Sequence, residues 1–118
     1  MNALKDDVWL GAIREREQLL GESVVRRMAE IFLEELDTVL AEAEGALKAG
    51  RTDAARRAIH HLGGSAGCLD FNDLAATVQT AELACVSGRP GEALEQMSRV
   101  SPMARSKAEQ LRRHYRMS

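Results

Sequence analysis

Apolar residues recur along this chain at three- and four-residue intervals almost from start to end, and no stretch alternates with the two-residue period of a strand. Val8 and Ala12, with Trp9 or Ile13, mark the inner face of a short first helix over about residues 6–18, with Arg14, Glu15, Arg16 and Glu17 outward. Leu19, Leu20 and Gly21 close it. Val24, Met28, Ile31, Phe32, Leu36, Val39, Leu40, Ala43 and Leu47 hold the period of a second helix, from an N-cap at Ser23 to about Lys48. That helix is roughly 39 Å long at the rise of an α-helix, and Gly50 ends it. Thr52 or Asp53 is the expected cap of a third helix ending near Leu69. Asp70 or Asn72 is that of a fourth, with Leu74, Val78, Ala81 and Cys85 inward and a stop at Gly88. Pro90 suits the first turn of a fifth, whose buried face runs through Ala93, Leu94, Met97 and Val100. Ser101-Pro102 should kink or break it, since proline lacks an N–H and crowds the preceding turn, before Met103, Lys107, Leu111 and Tyr115 carry the pattern on.

Helices joined by short connections pack most simply as an all-α, antiparallel four-helix bundle of up-down-up-down topology with a short additional N-terminal helix. The 118 residues suffice for one such domain, with the bundle over about residues 21–116, but not for two cores. Aromatics are few, so the core falls to aliphatic side chains, methionine and alanine.

Charge narrows the range of partners. Sixteen basic against 18 acidic residues leave a net charge of −2, so no global field favours nucleic acid or an anionic membrane, and a protein partner for a monomeric domain is expected. No apolar run approaches the roughly 20 residues that span a bilayer, and Met-Asn-Ala-Leu-Lys-Asp-Asp lacks the order of a signal peptide, which makes the cytoplasm the expected location. Cys68 and Cys85 would differ in height by ~16 Å across a turn at Phe71, too far for a disulfide, and both read as small packing residues.

The candidate chemistry lies in the third helix. Ala55, Ile59, Leu62, Ala66 and Leu69 form one narrow buried stripe, so His60 points away from the core. Gly63, Gly64 and Gly67 leave little side-chain bulk beside it, although each glycine costs ~1 kcal/mol relative to alanine inside a helix. Close approach of another molecule to His60 accounts for that cost. Helix register supplies a partner: His60 stands eleven residues before Phe71 and Glu82 eleven after it, at the same height on antiparallel neighbours. A Glu82 carboxylate accepting a hydrogen bond from Nδ1–H would fix the tautomer that leaves the Nε2 lone pair of His60 free as a nucleophile. His61, rotated by about 100° toward Ser65 and Cys68, reads as a surface residue. Arg112-Arg113-His114 reads as a solvated helix end.

His60-His61-Leu62-Gly63-Gly64-Ser65-Ala66-Gly67-Cys68-Leu69, with Phe71 and Leu74, resembles the active-site helix of histidine-containing phosphotransfer (HPt) domains, and the likeness extends from about Gly21 to Glu95. Two positions depart from the family pattern: Gly63 stands where lysine is usual and Asp70 where glycine is usual. The resemblance implies a phosphorelay protein in which His60 takes a phosphoryl group from a phosphorylated receiver domain or a kinase and passes it to a receiver aspartate. Glu82 matches the family's orienting position. Arg56, Arg57, Gly63, Gly64, Ser65 and Gly67 are the candidates for contact with the phosphoryl group or partner, Arg56 or Arg57 supplying the charge that Gly63 lacks. The domain would be a phosphocarrier, not an enzyme, with no cofactor of its own, Mg2+ residing on the receiver. Leu62-Gly63-Gly64-Ser65 lacks the spacing and the following Lys-Ser/Thr of a P-loop, so no ATP site is expected. Two rivals remain: a helical adaptor that binds a kinase or response regulator without phosphoryl transfer, and a metal-binding bundle, disfavoured because adjacent histidines diverge on a helix.

Overall fold

The structure, a computed structural model, describes residues 3–117, with side chains described from Val8 onward. Among the described residues the fold is all-helical: α1 (Ala3–Leu20), α2 (Glu22–Lys48), α3 (Thr52–Cys68), α4 (Asn72–Val86) and α5 (Pro90–Tyr115). α2 packs on α3, α3 on α4, α4 on α5, and α5 back on α2, while α1 lies against α2. The body measures 42 × 25 × 25 Å, its long axis matching a 27-residue α2 at ~1.5 Å per residue. No described helix is long and apolar enough to cross a membrane.

Alanine lets these helices come close. Ala29, Ala43, Ala55, Ala66, Ala81, Ala93 and Ala104 are wholly buried, interleaved with Ile59, Leu69, Phe71, Leu74, Met97 and Leu111. The whole expected stripe of α3 is buried, as are Leu74, Val78, Ala81 and Cys85 on α4.

Three tight connections hold the register. α2–α3, α3–α4 and α4–α5 are each joined by three residues, and each turns on a left-handed middle residue: Gly50 (φ 75°), Asp70 (φ 59°) and Gly88 (φ 71°). Each forms the same pair of backbone bonds, for example Arg51 N–H to Ala46 C=O (2.8 Å) and Gly50 N–H to Leu47 C=O (3.2 Å), the Schellman closure of a helix end. The last residue of each turn (Arg51, Phe71, Arg89) already accepts the first hydrogen bond of the next helix, from Ala55, Ala75 and Ala93. That is why the expected side-chain caps do not form. Arg51 rather than Thr52 or Asp53 occupies the N-cap of α3, Phe71 rather than Asp70 or Asn72 that of α4, and Gly21 (φ 94°) rather than Ser23 that of α2.

Asp70 is the one non-glycine among the three left-handed middle residues. Its left-handed backbone costs an L-residue roughly 1–2 kcal/mol, least for Asp and Asn. Its carboxylate receives both arms of the Arg16 guanidinium, Nε and Nη2 each at 2.8 Å, an arrangement that ties α1 to the α3–α4 turn. Asp70→Ala keeps the strain and loses the pair, and is expected to cost about 2 kcal/mol in urea unfolding. Asp70→Gly relieves the strain and should cost less; the reverse order would contradict this account.

α1 and α5 differ from expectation in instructive ways. Trp9 and Ile13 form the buried face of α1, whereas Val8 is 70% exposed. The indole N–H donates to the Leu69 carbonyl at 2.8 Å, and the ring stacks on Phe71 at 5.3 Å, which draws residue 9 rather than 8 inward. His114 is not a solvated end: it packs edge-on against Trp9, with Nε2 3.3 Å from Glu17 Oε2, which also accepts the Tyr115 hydroxyl proton at 2.9 Å. Burial and that carboxylate push the Tyr115 phenol above its ordinary range. α5 runs unbroken through Pro102. The buried line Met97, Val100, Ala104, Ala108, Leu111 continues past it. Pro102 itself is exposed, so the backbone acceptor it deprives, Ser98 C=O, lies on the exposed side too.

Candidate functional site

His60 projects from the middle of α3 with its side chain 71% exposed. The buried residues on either side of it in the helix, Ile59 and Leu62, anchor the backbone and fix the direction in which the imidazole leaves. Its Nδ1 lies 3.1 and 3.0 Å from the two carboxylate oxygens of Glu82 on α4. A carboxylate only accepts, so Nδ1 carries the proton and, in the neutral ring, the lone pair is on Nε2. Glu82 is only 24% exposed, steadier than a free surface acid.

The two arginines part company. Arg56 reaches Glu82, with Nη1 3.9 Å from Oε2, and so belongs to the His60 side of α3. Arg57 lines a cleft toward α2 with Val39, Glu42, Ala54, Ala58 and His61, away from Glu82. Of the expected pair, only Arg56 stands with the Glu82 carboxylate that holds the imidazole.

The glycines also divide. A Cβ on Gly64 or Gly67 would meet nothing within 4 Å, so both leave open space along α3 beyond His60. A Cβ on Gly63 would stand 3.1 Å from Val78 Cγ1 on α4. Gly63 is therefore a packing residue that brings α3 and α4 together one turn from the level of His60 and Glu82. Ser65 lies on the α2 flank, in a cleft with Phe32, Glu35 and His61.

His61 has a partner that helix periodicity did not find: its Nε2 lies 2.6 Å from Glu35 Oε2 on α2. Across Gly50, eleven residues on either side, His61 stands level with Val39, one turn from Glu35, just as His60 stands level with Glu82 across Phe71. The two imidazoles thus diverge, one toward α4 and one toward α2, which does not suit a shared metal. Cys85 is buried near this site, and burial together with the Glu82 charge pushes its thiol up, away from reactivity. Cys68, expected to be a packing residue, is instead exposed; both cysteines are free. Leu83 and Val86 on α4 are exposed apolar side chains that the expected α4 stripe did not include.

The family model described as Hpt domain matches residues 27–114. Comparison with curated proteins and with solved structures returned no match.

Proposed function

The chain belongs to the Hpt domain family, and on that premise we propose that it is a cytoplasmic, monomeric phosphocarrier of a two-component phosphorelay, in which His60 accepts and passes on the phosphoryl group. The observation that carries this reading is the exposed His60 ring with Nδ1 held by Glu82 and Nε2 free. Residues 1–118 act as one domain, with α2–α5 as the antiparallel four-helix frame that keeps α3 and α4 in register.

In the forward step the Nε2 lone pair attacks the phosphorus of a receiver's phospho-aspartate. The Nε2–P bond forms as the P–O bond breaks, and the aspartate carboxylate departs with the electron pair. The Nδ1 proton stays on the ring, where Glu82 balances the positive charge that develops. Transfer onward to a second receiver is the same step reversed. Phosphoryl transfer needs alignment and charge neutralisation more than covalent chemistry from the protein. A divalent ion on the receiver supplies most of that neutralisation, so the phosphocarrier contributes little beyond an oriented imidazole. Arg56 adds positive charge one turn from His60, and the open strip at Gly64 and Gly67 lets the receiver's acidic pocket close over the ring.

Incubation with a radiolabelled phospho-receiver tests the reading. Label should move to the chain in a linkage stable to alkali and lost in acid, as expected of a P–N bond. Tight binding of receiver or kinase with no transfer in either direction would instead favour an adaptor. Glu82→Ala is expected to slow transfer about ten- to hundredfold, the worth of a hydrogen bond to a charged group, with an unchanged circular dichroism spectrum. A rate within twofold of native would remove its orienting role.

A further inference from the structure

Two adjacent histidines each meet a carboxylate, from opposite neighbouring helices and through opposite ring nitrogens. His60 presents Nδ1 to Glu82, whereas His61 presents Nε2 to Glu35 at 2.6 Å. We propose that Glu35 withholds Nε2 of His61 and so decides which of the two imidazoles can take a phosphoryl group there; the proposal rests on the phosphotransfer reading above.

The chemistry follows from the donor inventory. A carboxylate has no proton to give, so the nitrogen facing Glu35 carries one and has no lone pair to attack with. If the ring is neutral, its lone pair is on Nδ1, next to the Cβ and the more crowded of the two nitrogens. If it is doubly protonated, neither nitrogen is a nucleophile. Exposure alone would not separate the histidines, since His61 is 54% exposed. Glu35 is therefore a positioning residue acting through His61, and it makes His60 the sole imidazole on α3 with Nε2 available. Glu35 is itself 46% exposed, so its truncation leaves the core intact.

Potassium phosphoramidate provides a test without a receiver. In that reaction an imidazole lone pair forms the N–P bond while the P–N bond to ammonia breaks and ammonia leaves with the electron pair. His60→Gln isolates His61, and the double variant His60→Gln/Glu35→Ala uncovers it. Early time points, read by phosphorus NMR and peptide mapping, report both the rate and the ring nitrogen. We expect His60→Gln to label His61 slowly and at Nδ1. The double variant should label it about two- to fivefold faster, the range set by an exposed ionic contact, and at Nε2. The same isomer and rate in both variants would overturn the proposal, as would Nε2 labelling already in His60→Gln, or no labelling of His61 once Glu35 is removed. Since no receiver takes part, a chain that shows the isomer switch but accepts nothing from any phospho-receiver would defeat the phosphorelay reading and not this assignment.

Discussion

His60→Gln is expected to abolish labelling by a phospho-receiver, and His61→Gln to leave it within about twofold of native. The size of the first effect follows from chemistry, because glutamine has no nucleophilic nitrogen and no other imidazole on α3 offers Nε2. Glutamine also reaches about as far as the Nδ1 edge of the ring and can donate its amide N–H to Glu82. The α3–α4 contact and the stability of the domain should survive the change. The histidine itself lies outside the core, 71% exposed, so nothing apolar is lost with it. Receiver binding by His60→Gln should persist, because the open strip at Gly64 and Gly67 and the charge on Arg56 are untouched. Equal labelling of the two variants, or loss in His61→Gln alone, would move the phosphoryl site and with it the role assigned to Glu82.

What could be read from the chain before any coordinates was most of what depends on period and on height along a helix, although on α2 the expected inward Val24 is exposed and its neighbour Val25 is buried instead. The α3 stripe, its exposed histidine and the level acid on α4 all come from counting residues about a turn. Contacts that depend on how helices cross were not legible that way. Arg16 finds Asp70, Trp9 finds Leu69 and Glu35 finds His61 across sequence separations of 54, 60 and 26 residues. In α1, periodicity put Val8 and Ala12 inward with Trp9 or Ile13 beside them, yet Val8 is exposed, and a hydrogen bond with a stacked ring turns the helix so that residues 9 and 13 are buried. The missing caps have one cause: in each tight connection, three residues long before α3 and α4 and the single Gly21 before α2, the residue that closes the previous helix also takes the N-cap position of the next. Gly63 shows the limit of comparison with a family pattern. Set beside that pattern it looks like a lost charge, yet its neighbour is Val78, and it serves the spacing of α3 and α4.

Through Trp9 and Arg16, α1 is tied to the α3–α4 turn and is expected to unfold with the rest of the domain, and Trp9→Ala tests this with the largest expected change in stability. Trp9 is 7% exposed, stacks on Phe71, packs against His114 and donates its indole proton to Leu69. Truncation removes a large buried aromatic and leaves the Leu69 carbonyl without that donor, for a loss of about 3–5 kcal/mol. That is a large part of the roughly 5–15 kcal/mol that holds a domain of this kind together. Trp9→Phe keeps a ring over Phe71 and loses only the hydrogen bond, so it should cost about 1 kcal/mol plus a small packing loss. Urea unfolding followed by circular dichroism gives both values. Because Trp9 is the sole tryptophan, native fluorescence reports α1 alone and should change at the same urea concentration as total helicity. Phosphoryl transfer to His60 by folded Trp9→Ala should stay within about twofold of native, since Leu69, just past the end of α3, lies nine residues beyond His60, ~13.5 Å at the rise of a helix. A fluorescence transition well before the loss of helicity, with Trp9→Ala costing less than about 1 kcal/mol, would make α1 an appendage and restrict the cooperative domain to α2–α5.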